Sequence, residues 1–457
     1  MTVAARGLPF TRRPGALTAM LAAALTTLAV LTLVTPKAHA MKIQEITSPG
    51  GVKAWLVEEH SVPLMAMRFA FQGGSAQDPA GKEGLANFMS GMLDEGAGEL
   101  DSHAFQSQIE ELAVRLSFED GRDAFYGSFE TLTANRAAAI ALLRLAVNSP
   151  RFDQDAVERV RAQLQANLVY ASKNPDSIAN EAWNKAAFPG HPYGRPAHGT
   201  MDTIKAIGRD DLAAYRKRIF ARDTLRVVAV GDIDAKTLGA LLDDVFGGLS
   251  AKAELTVIAK TEPKAAEKLT VVEMAVPQSV ARFGLGAMPR KDRDFMAAFV
   301  LNHIMGGGGF ASRLMEEVRE KRGLAYSVYS YLQPLDSASV FAGGVATKNE
   351  EMGQSLDIIR AELKRMAADG PTQAEVDNAK SNLTGSFALR FDSNSKIASN
   401  ILWMLQEDLG PGYVEERNKL IDAVTMDDVR RVAKRLFVTD DLIITVVGKP
   451  KGLPGKS

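Results

Sequence analysis

Not one of the 457 residues is cysteine. That absence excludes disulfide cross-links, thiolate metal sites and a cysteine nucleophile together, so stability must come from packing and any chemistry from other side chains. Charge of one sign is not in excess either, with 54 basic against 55 acidic residues and a formal net charge of -1. The chain therefore carries no global basic footprint, and nucleic acid is not an expected partner. A G-x-S-x-G elbow with a plausible histidine partner is missing, which removes the usual serine hydrolase reading. The glycine run Gly306–Gly309 continues as Phe-Ala-Ser-Arg and lacks the lysine of a phosphate-binding loop, so nucleotide binding is not expected. Apolar residues, by contrast, make up 46% of the chain, enough to bury two or more cores.

The first forty residues read as a targeting segment. Arg6, Arg12 and Arg13 form a positive region, 16–34 is an almost unbroken apolar stretch, and Ala38-His39-Ala40 is a small-x-small cleavage site. The sequence predicts a Sec-type signal peptide over 1–40, a mature chain starting near Met41, and a periplasmic protein. Retention of the apolar run as a membrane anchor is the alternative, and would be the only membrane contact.

After this segment the chain repeats itself. The stretch from Ile207 to Gly231 aligns without a gap to the stretch from Val424 to Gly448, 217 positions later, matching Asp210 to Asp427, Asp211 to Asp428, Phe220 to Phe437 and Gly231 to Gly448. Each copy reads as an acid-started helix followed by a β-branched strand closed by glycine. A repeat of this size is a whole domain. The organisation expected is a first domain over 41–249, a Lys/Glu/Ala-rich linker over 250–268, and a second domain over 269–457. Within each the pattern runs strands, then helices, then a closing strand. The fold class expected is α+β: two homologous domains, each an antiparallel-rich sheet with helices packed on one side.

The segment GLANFMSGMLDEGAG, from Gly84 to Gly98, resembles the inverted zinc-binding motif H-x-x-E-H, with Asn87, Ser90 and Gly91 in its three polar slots. Zinc needs imidazole, carboxylate or thiolate donors and a carboxylate to activate water, and an amide, a hydroxyl and a glycine supply none of these firmly. The six histidines do not rebuild a site elsewhere. His39 belongs to the targeting segment, His60, His103 and His303 are isolated from one another, and the close pair His191 and His198 sits in a Gly/Pro-rich stretch that reads as a structural loop.

With these motifs, the chain after the targeting segment resembles the pitrilysin/insulinase family of zinc metallopeptidases. The likeness is to its short two-subunit branch, typified by mitochondrial processing peptidase. In that family a third zinc ligand is a Glu on a later helix, ahead of an Asn/Asp-Pro step. Here the step is Asn174-Pro175 and the matching stretch reads Ala166-Asn167-Leu168, so Asn167 stands where the carboxylate is expected. The resemblance also implies a partner-type signature in the second half, MGGGGFASRLMEEVREKRGLAYSVYSY from Met305 to Tyr331. Arg319 and Tyr326 match the family's substrate-binding Arg and Tyr, seven residues apart. A guanidinium and a phenol are suited to holding a substrate carbonyl and stabilising an oxyanion. Taken without the resemblance, Arg319 also fits an exposed charge run with Glu316, Glu317, Glu320 and Lys321, and Tyr326 an ordinary core position. The loop of Gly306, Gly307, Gly308 and Gly309 is expected either to touch substrate or to serve as a flexible turn.

What the resemblance implies is a non-catalytic subunit of an exported heterodimeric zinc peptidase. No residue of this chain is then catalytic, and neither metal nor cofactor is expected in it. Zinc and H-x-x-E-H lie on an active partner, and Arg319 and Tyr326 bind peptide or unfolded polypeptide in a closed chamber. The rival expectation is a peptidase-like scaffold or peptide-binding protein with no part in proteolysis, as in the core subunits of respiratory complexes that resemble this family.

Overall fold

The computed structural model describes residues 41–453. The expected signal peptide over 1–40 lies outside the described residues. Six strands form the first sheet: β1 (Gln44–Thr47), β2 (Lys53–Glu58), β3 (Leu64–Gln72), β4 (Arg115–Asp120), β5 (Ala124–Leu132) and β6 (Arg226–Gly231), in the order β1-β2-β6-β3-β5-β4. Five form the second: β7 (Leu269–Glu273), β8 (Gln278–Gly286), β9 (Ala325–Pro334), β10 (Ser339–Lys348) and β11 (Ile443–Gly448), in the order β7-β11-β8-β10-β9. Apart from the extra β1, the two orders are the same. Each sheet is antiparallel except for one parallel pair, β2 with β6 and β7 with β11.

The repeated stretch falls where the sequence places it. Helix Arg209–Ile219 leads into β6, and helix Met426–Leu436 leads into β11. Both β6 and β11 are buried along almost their whole length, as expected of a β-branched run in the middle of a sheet. The first core gathers Phe69, Phe71, Phe125, Phe220 and Phe246, all fully buried, with Phe71 and Phe220 stacked at 4.5 Å. Burying rings of this size contributes about 2 kcal/mol each. The second core packs Phe283, Phe341, Met305, Leu363 and Phe437 against one another. No helix among the described residues is long and apolar enough to cross a membrane.

Each half lends one helix to the other. Helix Pro175–Ala187, from the first half, packs on β11 and β8, and helix Asn394–Gln406, from the second, packs on β6 and β3. Both begin at a side-chain cap, Asn174 for one and Ser393 for the other. The exchange covers the sheet face that each half's own helices leave open. Trp183 marks the seam, donating its indole N–H to the Ile443 carbonyl at 3.1 Å. Residues 250–268 hold no helix and run extended along both halves, tied by hydrogen bonds such as Thr256 N–H to Gln77 Oε1 and Lys264 N–H to the Ala187 carbonyl, both 2.8 Å.

An arginine occupies the same place in both sheets. Arg68 on β3 sits opposite Val228 of β6, and Arg282 on β8 sits opposite Thr445 of β11, Val228 and Thr445 being 217 positions apart. Each reaches the sixth residue of the exchanged helix. Arg68 donates to Ser399 Oγ at 3.3 Å, and Arg282 donates to Asn180 Oδ1 at 3.2 Å.

Candidate functional site

The degenerate metal motif lies on the short helix Leu85–Ser90 and the turn that ends it. Asp78 fixes the start of this helix by accepting the backbone N–H groups of Gly84, Leu85 and Ala86 at 2.9, 3.1 and 3.0 Å. Burial raises the Asp78 carboxyl to about 8, although all three amides act the other way. Asn87 turns its amide to Asp120, donating at 2.9 Å, and Ser90 returns its hydroxyl to the Asn87 carbonyl at 2.8 Å. Gly91 offers no donor atom, and a Cβ added there would lie 3.1 Å from Val160 Cγ1. Asn167, on helix Gln154–Ala171, accepts from Gln163 Nε2 at 3.0 Å and is exposed. The side chains of Asn87 and Asn167 are bonded to Asp120 and Gln163, the Ser90 hydroxyl is spent on the Asn87 backbone carbonyl, and no two of the four side chains meet in a hydrogen bond. Their donor set does not fit a zinc ion, and among the described residues no group of three or more His, Asp or Glu side chains is placed to hold a metal.

His191 of the close histidine pair is a strut. Its Nδ1 accepts the Tyr193 N–H at 3.1 Å and its Nε2 lies 3.0 Å from the Ala259 carbonyl, pinning the Gly/Pro-rich loop to the extended segment between the halves.

The second half presents a different surface. Helix Phe295–Asn302 runs on into a wide turn over His303–Gly307, closed by the Gly308 N–H on the His303 carbonyl at 2.8 Å. A second such turn spans Met315–Glu320, where the Lys321 N–H reaches the Glu316 carbonyl at 2.9 Å. These five-residue spacings are π-type and recur at functional positions in helical segments. Gly306 is required by contact, since a Cβ there would lie 2.5 Å from the Ser330 amide nitrogen on β9. Gly307 and Gly308 are crowded in the same way by Asn302 and His303, and Gly309 adopts a φ of +60° that favours glycine. The glycine run thus seats the helix end against β9 and turns the chain outward to Phe310.

Arg319 and Tyr326 are brought together. The Arg319 guanidinium carbon lies 4.9 Å from the centre of the Tyr326 ring and 4.6 Å from that of Phe310, so both rings flank it. Tyr326 is 81% exposed and Phe310 67%, which makes the pair of rings a surface feature and not core. Stacking of this kind covers a guanidinium's faces and leaves its N–H edge free to donate. The charge run around Arg319 is consumed elsewhere. Glu317 pairs with Lys321 at 2.8 Å and Arg322 at 2.6 Å, and Glu316 pairs with Lys321 at 3.0 Å. Only Glu320 stays near Arg319, at 3.5 Å. Arg319 and Tyr326 line a groove of about 490 Å³ together with Gln278, Thr347, Lys348 and Glu351.

This surface is braced from behind. Arg313, buried six residues before Arg319, makes a two-point pair with Glu375, Nη2 lying 2.8 Å from Oε2, and also donates to the Gly370 carbonyl. Burial alone would raise the Glu375 carboxyl, but Arg313 and the hydrogen bonds from Thr372 overcome it and hold it at about 2. Phe310 was not among the residues singled out from sequence. Its position directly after the glycine run, as an aromatic in a polar turn, is the signal that could have found it.

A two-sheet fold with exchanged helices, a helix bearing the remnant of a metal motif, and an arginine flanked by aromatic rings define a peptidase-like protein. Two models of one peptidase family match consecutive parts of the chain: insulinase (peptidase family M16) over residues 55–201 and the peptidase M16 inactive domain over residues 206–383. The chain belongs to the M16 insulinase family. It is 28% identical over 419 residues to a protein of Helicobacter pylori described as the non-peptidase homolog YmxG, covering 91% of this chain and 96% of that one. It is 24% identical to a Bacillus subtilis protein described as the uncharacterized zinc protease YmxG, covering 90% and 100%. Among solved structures it is similar to a peptidase M16 inactive domain from Pseudomonas fluorescens, with a TM-score of 0.84, 29% identity, and coverage of 90% of this chain and 98% of that one.

Proposed function

We propose that this chain is the non-catalytic subunit of an exported, heterodimeric zinc peptidase, and that it grips the substrate for an active partner carrying H-x-x-E-H. One observation carries the reading. Arg319 is held between two exposed rings at a groove, with most of the acidic side chains of its charge run paired elsewhere, while the polar side chains at the metal-motif positions of the same chain are spent on hydrogen bonds that do not converge on one point.

In this reading the division of labour is simple. The partner supplies zinc and the carboxylate that activates water. Arg319 donates its free N–H edge to a substrate carbonyl, and the Tyr326 hydroxyl adds a second donor as that oxygen gains negative charge. Phe310 fixes the guanidinium plane, so little ordering is left to occur during reaction. Substrates are peptides or unfolded segments that enter a chamber closed by the two subunits.

The test is to purify this chain and an H-x-x-E-H partner separately and together, and to follow cleavage of an internally quenched peptide. Cleavage far above either chain alone supports the reading. A second reading, a scaffold with no role in proteolysis, is favoured by the same paired-off metal motif and by the non-peptidase description of the Helicobacter relative. It would be sustained if the complex forms and Arg319→Ala leaves turnover unchanged.

A further inference from the structure

The equivalent arginines Arg68 and Arg282 differ in one respect. Arg68 has a counter-ion, Glu130 on β5, whose carboxyl is held low by that pairing although burial acts the other way. In the register of the sheets Arg68 faces Ser128 and Arg282 faces Gly344, so the place of Glu130, two residues beyond Ser128, is taken by Ala346. No ion pair among the described residues includes Arg282. Its partners are neutral: Tyr329 Oη at 2.6 Å from Nη1, and Tyr331 Oη at 3.0 Å and Asn180 Oδ1 at 3.2 Å from Nη2. Those bonds use three of its five N–H groups.

The two phenols lie flat beside the guanidinium, their rings stacked at 6.3 Å and each 5.8 Å from its carbon. Gly344 makes this possible, because a Cβ there would lie 2.9 Å from Tyr329 Oη. Tyr329 is 39% exposed, so the cluster is open to solvent. A cation at the seam of two halves, stripped of the carboxylate its counterpart keeps and ringed by hydroxyls that can also donate, is arranged for an anion from outside.

Its place says which anion. Tyr329 follows Tyr326 by three positions on β9, and the register shift between Ala346 and Thr347, which leaves Tyr326 as an extra residue, puts both rings on the exposed face. The cluster therefore lies about 10 Å along the strand from the Arg319 groove, the span of about three residues of an extended peptide. We infer that Arg282, with Tyr329 and Tyr331, forms a second subsite that takes the carboxylate of an acidic side chain about three residues from the peptide carbonyl held at Arg319. The inference rests on the peptide-gripping role proposed above, and makes the chain a reader of substrate sequence as well as a clamp.

The experiment uses the whole chain and fluorescein-labelled twelve-residue peptides, in which one Glu is moved through an otherwise neutral sequence and compared at each position with Gln. Anisotropy is expected to show Glu favoured over Gln by about tenfold at one position, the worth of one charge-assisted bond. In Arg282→Gln the ratio should fall to within about twofold of unity, and in Arg282→Lys part of it should return. Thermal unfolding of each variant checks that the fold is kept. Equal binding of Glu and Gln at every position, a preference that follows net peptide charge irrespective of position, or a preference that survives Arg282→Gln overturns the inference. Arg319→Ala separates the two claims. If it weakens Glu and Gln peptides alike, the groove binds peptide whatever Arg282 does; if the wild-type chain binds neither, both claims fall.

Discussion

The two halves share strand order, helix exchange and even the position of a central arginine, yet they treat their polar groups in opposite ways. In the first half Asn87, Ser90, Asn167 and Arg68 all end on partners inside the chain. In the second, Arg319 and Arg282 rest on aromatic rings and keep N–H groups to spare. Duplication makes this informative, because each half serves as the reference for the other. A polar group satisfied in one copy and left without its counter-ion in the second points to a use outside the chain, since a buried or half-buried charge is costly to leave unpaired without one.

The largest effect that would test this contrast is on turnover. In the proposed pair with an H-x-x-E-H partner, replacing Arg319 by Ala is expected to lower kcat by about 100- to 1000-fold, the range for removing one preorganised oxyanion donor, while gel filtration shows the complex intact. A loss of assembly in place of a loss of turnover would move Arg319 from the substrate to the interface and remove the functional half of the comparison.

Next in size is stability at the matched arginines. Arg68→Ala breaks a nearly buried ion pair and leaves Glu130 only the exposed Arg115 at 3.6 Å, which should destabilise the chain by about 3 kcal/mol. Arg282→Ala removes only bonds to neutral, partly exposed groups and should cost about 1 kcal/mol. Urea unfolding of the two variants side by side measures the difference. Equal losses would mean that Arg282 is as structural as Arg68, and the asymmetry would lose its meaning.

Much of this was legible beforehand, and what was not has physical causes. The copy from Ile207 to Gly231 was visible because a buried strand and an amphipathic helix each carry strong periodicity. Strand β4, Arg115–Asp120, alternates weakly at a sheet edge and β1 has only four residues, so neither carries a pattern that sequence alone would show. The π-type turn over Met315–Glu320 shifts Arg319 from the place a regular helix would give it, and no pattern in the sequence marks such a turn. Arg319 and Tyr326 could be named from the family resemblance and Phe310 from its place after the glycine run, but Arg282 and Tyr329 could not. Their roles depend on strand register and on Gly344, which bring together residues far apart in the chain.

A smaller test concerns pH, where the halves should again oppose each other. Glu375 braces the second half with a carboxyl at about 2, below its ordinary 4.5. A lowered folded value stabilises above the unfolded pKa, so this contribution is complete above about pH 4.5 and is lost as pH falls toward 2. It amounts to about 2 kcal/mol once the pair's partial exposure is allowed for. Asp78 in the first half is raised to about 8 from 3.8, so the folded state holds that proton more tightly. Its contribution is complete below about pH 4 and is lost as pH rises through 8. Unfolding free energies of the wild type, Glu375→Gln and Asp78→Asn across pH 2 to 9 should show the acid slope flattened by the first variant and the alkaline slope by the second. A single slope shared by both variants would show that the two halves do not titrate separately.

The smallest effect lies at the metal motif itself. Writing the ligands back, with Asn87→His, Ser90→Glu, Gly91→His and Asn167→Glu, restores the donor types but not the surroundings. The side chain at 91 meets Val160 Cγ1 at 3.1 Å, close enough that the valine must yield, and the imidazole at 87 loses the amide bond to Asp120. Gly91→His alone should cost about 1 kcal/mol, seen as a lowered Tm, and Val160→Ala in the same chain should recover part of it by opening the contact. The fourfold variant is expected to bind zinc weakly and below one equivalent by metal analysis after dialysis, because ligands without a supporting outer layer are poorly oriented. Tight stoichiometric zinc with peptide hydrolysis would show that the first half has kept its metal architecture and changed only the ligands, and the contrast between the halves would then be one of four side chains and not of their surroundings.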